Sequence, residues 1–264
     1  MKLFSLHNKH DFIETQLQSF RKNLKEDFEF IVFDNAAFTV GSQPGESEKI
    51  NETCARLGVR VIEILKDPEI VKACEAIETT CKMFDRLGLY SNANVASAYP
   101  LCWAWARHMH KEREPIVLMH SDIFLTREGS FSDILNEYQV CFVPQSREGA
   151  HEYMWDVFVI LDMAKLSNPE TINWYCGKVN GVAVDVGGQT GHYLKSHPEL
   201  KLLRVDFEHF DKFPVLDFVP SDYEIFSING KETLIHYRSG SNWNHRTSEY
   251  HEKKLAWLKA RVHQ

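Results

Sequence analysis

The chain has 264 residues, is 44% hydrophobic and 25% charged, and carries a formal net charge of −7. That length and composition describe a globular protein with a substantial core. The acidic balance argues against nucleic acid as the main partner, because phosphate backbones are bound by clustered Lys and Arg.

Residues 2–6 read as a short buried strand. Asp11, with Glu14 three positions on, forms a capping-box variant that opens a helix bearing Ile13, Leu17, Phe20 and Leu24 on one face. The next run, 28–33, is β-branched and aromatic and ends at Asp34-Asn35. Strand, helix and strand in this order open a parallel α/β sheet. Residues 39–47 form a Gly/Pro/Ser loop, and a helix at 48–57 and a strand at 59–64 repeat the unit. Residues 69–110 are mostly helical with a break at 88–94. There Val95, Ala98, Cys102, Trp105 and Met109 make an apolar stripe, and Pro100 lies near the first turn of its helix. A strand at 116–120 follows.

Strand-like runs at 139–143 and 157–161 flank an aromatic loop, His151-Glu152-Tyr153-Met154-Trp155-Asp156. A strand at 182–184 meets Asp185-Val186-Gly187-Gly188-Gln189-Thr190-Gly191. Runs at 224–228 and 231–237 are joined by Asn229-Gly230, a type I′ hairpin signal. Leu255, Leu258 and Val262 line one face of a closing amphipathic helix capped by Thr247 or Ser248. The six cysteines (54, 74, 81, 102, 141, 176) form no C-x-x-C pair and no zinc-type spacing, so they read as reduced core residues of a cytoplasmic protein. The N-terminal segment is too short in its apolar part for a signal peptide, and no apolar run approaches the ~18 residues that span a bilayer. The simplest organisation is a single domain, 1–264, with a nucleotide-binding half (1–125) and an acceptor-shaping half (126–264).

His120-Ser121-Asp122 ends the strand at 116–120 and places a carboxylate at the carboxyl edge of the sheet, where open α/β folds bind ligands. Such a group can hold a divalent cation against phosphates, although Asp in this position also serves as a cap or turn residue.

Two resemblances follow from the motifs. Asp185–Gly191, with the acid Asp206 after Leu202-Leu203-Arg204-Val205, resembles the cofactor turn of S-adenosylmethionine-dependent methyltransferases. Gln189 stands where that turn often has glycine, and the tail after Asp206 holds a hairpin and a helix where several βα units are needed. The other resemblance spans the chain. Its carriers are Leu3–Asn8, Phe30-Ile31-Val32-Phe33-Asp34-Asn35, His120-Ser121-Asp122-Ile123-Phe124-Leu125 and His236-Tyr237-Arg238-Ser239-Gly240-Ser241-Asn242-Trp243. In order and spacing these resemble nucleotide-sugar glycosyltransferases of the GT-A fold, a Rossmann-like, mostly parallel sheet flanked by helices, here with a C-terminal hairpin and helix.

That resemblance implies a sugar-nucleotide donor and a saccharide or other hydroxyl acceptor. It implies Asp34 and Asn35 at the nucleobase, Asp122 and His236 on Mn²⁺ or Mg²⁺, and Arg238, Asn242 and Trp243 at the donor, with His245 and Arg246 nearby. His120 departs from the family's Asp-x-Asp step and leaves Asp122 its sole carboxylate. Imidazole suits Mn²⁺ better than Mg²⁺. An inverting transfer needs a carboxylate base, for which Asp185 is the first choice and Asp156 the second.

Each residue also has an ordinary structural role open to it. Asp34 and Asp185 could be caps, His236 a half-buried histidine, and Asn242 and Trp243 anchors of the last helix. Trp103 and Trp105 read as helix packing, His108, His110 and Lys111 as a solvated helix end, and Asn92 and Asn94 as caps. A non-catalytic relative that binds sugar nucleotides or glycans is a further alternative.

Overall fold

The computed structural model describes residues 1–36, 44–64, 92–210, 223–238 and 248–263. In chain order, β1 (Lys2–His7), α1 (Ile13–Asn23), β2 (Glu29–Asp34), α2 (Glu46–Leu57) and β3 (Arg60–Glu63) form two parallel repeats of the expected α/β kind. α3 (Asn92–Arg107) leads to β4 (Ile116–His120), β5 (Ile123–Leu125), α4 (Phe131–Glu137), β6 (Val140–Gln145) and β7 (Tyr153–Leu161). The hairpin β8 (Gly177–Val179) and β9 (Val182–Val184), α5 (Thr190–Ser196), β10 (Leu202–Arg204), β11 (Asp206–Phe210), β12 (Tyr223–Ile228), β13 (Lys231–His236) and α6 (Ser248–His263) follow.

The main sheet has the order β10-β6-β7-β4-β1-β2-β3 and is parallel except for β7, which runs against both β4 and β6. Side chains alternate across it, as the pleat demands. Leu3, Val32, Val117 and Met119 pack with Ile13, Leu17 and Phe20 of α1, while Phe4, Ile31, Phe33 and Leu118 pack with Ala98, Leu101, Ala104 and Trp105 of α3. Burial on both faces explains why these strands read as continuous apolar runs. The second sheet, β11-β12-β13-β5, is antiparallel and meets the first where β4 passes into β5. The mixed, mostly parallel α/β sheet flanked by helices, with its C-terminal hairpin and helix, is as expected. No helix among the described residues is long and apolar enough to cross a membrane.

Several local expectations are corrected. α1 begins at Ile13 after an uncapped Phe12, and Glu14 accepts instead from Arg56 at 2.8 Å and from Gln18 at 3.3 Å. Pro100 lies well inside α3, so its missing N–H removes a rung of that helix. The aromatic loop is largely strand, because Tyr153–Asp156 begin β7 and pair with β6. The strand at 182–184 exists but, among the described residues, pairs only with β8, through an Asn180-Gly181 turn at φ 53° and 83°. It therefore stands outside the main sheet. Asn229-Gly230 does form the expected tight turn, at φ 51° and 70°.

Candidate active site

The two-residue step Ser121-Asp122 carries the chain from the main sheet into the second one. Its neighbour there is fixed by strand pairing. β13 runs against β5 with His236 opposite Ile123, and the Tyr237 N–H donates to the Asp122 carbonyl at 2.8 Å. His236, far away in sequence, is thereby brought to Asp122, with its Nε2 3.3 Å from Asp122 Oδ1. His120, at the end of β4, completes the group: one potential ligand atom from each of His120, Asp122 and His236 lies within 4.8 Å of the others. The step that sequence reading could equally take as a plain turn is thus both a turn and the centre of a ligand cluster.

Two carboxylates stand behind the histidines. Glu224, opposite His236 across the β12–β13 hairpin, accepts from His236 Nδ1 at 2.7 Å, which aims Nε2 at Asp122. Asp156 Oδ2 pairs with His120 Nε2 at 2.9 Å, while Asp156 Oδ1 is buried with no hydrogen-bond partner among the described residues. Burial disfavours the imidazolium of His236, but Asp122 and Glu224 outweigh it and raise the group to about 9. His120 is likewise raised against its burial, by Asp156. Glu224 is lowered despite burial by its bond to His236. Asp122, Asp156 and Glu224 are each only 5% exposed. Three buried carboxylates beside two histidines make a site that favours positive charge. Two imidazoles and a carboxylate, with a carboxylate orienting one imidazole from behind, are a donor set that fits a divalent transition ion such as Mn²⁺.

The cluster lines a cleft of about 420 Å³ whose walls include Asn8, Asn35, Trp155, Asp156, Asp185 and Arg238. Asn8 and Asn35 follow the ends of β1 and β2, so they share the carboxyl edge with His120. Asp156 reaches that edge because β7 is antiparallel and begins there. Asp34 lies behind Asn35 and is buried. It accepts from the Ala36 N–H at 3.0 Å and from the Ser47 hydroxyl, and burial raises its pKa despite both bonds. The expected nucleobase residue is thus engaged with the backbone just after β2 and with Ser47 of α2. Arg238, at φ 54°, lines the cleft, donates to His209 and sits 3.6 Å from Glu224.

Asp185 also lines the cleft, but it reaches it by a different route from His120 and Asn35. It does not lie at the main sheet's carboxyl edge, because β9 is not in that sheet. The β8–β9 hairpin delivers it instead, and its Oδ1 accepts from the Val186 N–H at 2.8 Å. Burial raises its pKa against that bond. The glycines after it are set by packing. A Cβ on Gly187 would lie 2.2 Å from the Met154 carbonyl oxygen, and one on Gly191 would lie 1.9 Å from the His151 ring. With β9 outside the main sheet, the turn lacks the strand context of a methyltransferase cofactor loop.

Trp105 is buried against Trp174, and Trp103 packs on Phe33, as expected of helix residues. Asn242, Trp243, His245 and Arg246 lie outside the described residues. Sequence reading missed Glu224. A regular hairpin from Asn229-Gly230 would not set it opposite His236.

No protein-family model matches the sequence, and no curated protein matches it. Among solved structures, an active-site variant of LgtC is similar at 12% identity and a TM-score of 0.37, covering 62% of this chain and 58% of that one. Mouse xyloside xylosyltransferase 1, apo form, is similar at 8% identity and a TM-score of 0.43, covering 78% of this chain and 86% of that one. The apo WbbM bifunctional glycosyltransferase is similar at 9% identity and a TM-score of 0.34, covering 61% of this chain and 31% of that one. Likenesses this loose fix neither chemistry nor substrate.

Proposed function

We propose that the chain is a GT-A-like glycosyltransferase that moves a sugar from a nucleotide-diphosphate donor to an acceptor hydroxyl. The observation that supports this most is the convergence of His120, Asp122 and His236 from two sheets into one cleft at the carboxyl edge. Asp122 and His236, joined by His120, would hold the cation, Mn²⁺ in preference to Mg²⁺. Bound there, a cation supplies Lewis-acid neutralisation of the charge that builds on the departing diphosphate.

The chain's own residues do the rest. Glu224 holds His236 Nδ1–H and keeps Nε2 available as a ligand. Arg238, in the cleft wall, adds fixed positive charge for the diphosphate. Asn35, backed by Asp34, takes the nucleobase, and Asn242 and Trp243 complete the donor contacts. Asp185 accepts the proton of the acceptor hydroxyl. Its burial-raised pKa brings it nearer the working pH of a general base, and the hairpin lets an acceptor approach from solvent. Asp156 is the second candidate, but His120 already engages one of its oxygens. The cluster takes two of its residues from 1–125 and one from 126–264, which supports reading the chain as one working unit with a donor-binding and an acceptor-shaping half. The free thiols Cys54, Cys102, Cys141 and Cys176 support a cytoplasmic setting.

The test is binding of UDP or GDP with Mn²⁺, followed by calorimetry and by melting temperature. Asp122→Ala is expected to abolish metal-dependent nucleotide binding. Unchanged affinity in that variant would refute the ligand assignment. Stabilisation by S-adenosylhomocysteine alone would sink the glycosyltransferase reading itself.

A further inference from the structure

We propose that Gln16 of α1 is a positioning residue for the cation site, its side-chain amide fixing the turn that carries His120 and Asp122. This rests on the cation reading above. Gln16 is fully buried. Its Nε2 donates to the His120 carbonyl at 2.8 Å and to the Ile123 carbonyl at 2.9 Å, so one amide clamps both ends of the Ser121-Asp122 step. On its other side, Oε1 accepts from the Ser5 hydroxyl at 2.9 Å and lies 3.0 Å from His7 Nε2. An amide has two donors and two acceptor directions, and here all four are engaged, which leaves it a single orientation.

The placement matters for spacing. His120 belongs to the main sheet and Asp122 opens the second one, so the distance between their ligand atoms depends on the path of the two-residue step. Gln16 ties that path to α1, and through Ser5 and His7 to the end of β1, which leads to Asn8 at the cleft. Burial lowers His7 to about 4, so the clamp brings no charge beside the ligand carboxylates. A clamp of this kind acts on the cation through geometry alone. Substitutions that act from behind the ligands in this way typically cost 10–100-fold in metal affinity.

The same helix supplies an internal control. Buried Asn23 makes a similar bond, donating through Nδ2 to the Leu125 carbonyl at 2.8 Å, but at the far end of β5, away from the turn. Gln16→Met and Asn23→Leu each keep volume and strip the donors from buried carbonyls, so both lower unfolding stability. Only the first should weaken Mn²⁺ binding. The experiment follows free Mn²⁺ by electron paramagnetic resonance during titration of the full chain, beside urea unfolding of the same samples. The expected result is Mn²⁺ affinity roughly 10–100-fold weaker in Gln16→Met and equal to wild type in Asn23→Leu. Should Gln16→Met not fold, Gln16→Glu serves. It removes the amide donors while adding a negative charge that by itself would strengthen cation binding, so a loss there also reports the clamp. Wild-type affinity in the Gln16 variants, or equal weakening in the Asn23 variant, overturns the inference while leaving the cation site standing. A wild-type chain that binds no Mn²⁺ overturns the site as well.

Discussion

Raising the pH above 6.5 should cost the metal-free protein stability, because His236 holds a proton that its partners need. Its pKa stands at about 9 against an ordinary 6.5, since Asp122 and Glu224 outweigh the penalty of burying the imidazolium. Linkage at about 1.4 kcal/mol per pH unit makes this worth about 3 kcal/mol. The sign follows from the raised value. The stabilisation is present in full below 6.5 and is lost as pH rises through 9. His120, raised by Asp156 against its burial, adds to the loss in the same direction. Glu224, held below its ordinary value by His236, stays ionised and leaves this window alone. Urea unfolding of chelator-treated protein at several pH values between the two limits measures the slope. Glu224→Gln removes one of the two carboxylates that hold the proton, so its slope should be shallower. Metal reverses the sense: Mn²⁺ needs neutral imidazoles, so its affinity should climb with pH across the same window as a proton is released. A metal-free stability that is flat or rises across the window, or a Glu224→Gln slope equal to wild type, would refute the reasoning.

Two further substitutions probe the acceptor side and the glycine turn. Asp185→Asn should lower kcat by about 10²–10⁴-fold with donor KM unchanged, the usual worth of a general base. If Asp156→Asn shows that loss and Asp185→Asn does not, the proton passes to Asp156 instead. Gly187→Ala places a Cβ 2.2 Å from the Met154 carbonyl oxygen at a φ of +82°. The strain and overpacking should destabilise the fold by about 3 kcal/mol and lower Tm by roughly 6–12 °C. A variant that melts with the wild type would show that packing against β7 does not explain this glycine.

The main sheet was legible because its strands are buried on both faces. Runs such as Ile116-Val117-Leu118-Met119 carry no competing pattern, and the helices between them keep a clean apolar face. Local capping and periodicity were poorer guides. Asp11 and Glu14 have the spacing of a capping box, but Glu14 is drawn to Arg56 on α2, a partner that only tertiary structure provides. Val182–Val184 has the composition of a sheet strand, and its Asn180-Gly181 turn was the overlooked sign of a separate hairpin.

The site was legible only in part, and the reason is register. A two-residue hairpin at Asn229-Gly230, continued regularly from Ile228 opposite Lys231, would set Glu224 against Ile235. The irregularity between Phe226 and Ser227 shifts the ladder by one residue and sets Glu224 against His236 instead. A β-bulge is a local change with a long reach, since every side chain beyond it changes its neighbour and its face. Here it brings His236 opposite the buried Glu224, so that the carboxylate can orient a ligand histidine. No spacing rule applied to residues 224–236 could have found that pairing. Residue type was nonetheless a guide: His236 and Asp122 could be matched across the chain because a cation site needs them, whatever path brings them together. Glu224 was overlooked because its task is to hold a ligand, and that task is visible only once the register is known. The same holds for Gln16, whose contacts with His120 and Ile123 depend on how α1 lies over the β4–β5 step. Ligand atoms follow from chemistry, whereas the residues that aim them follow from the fold.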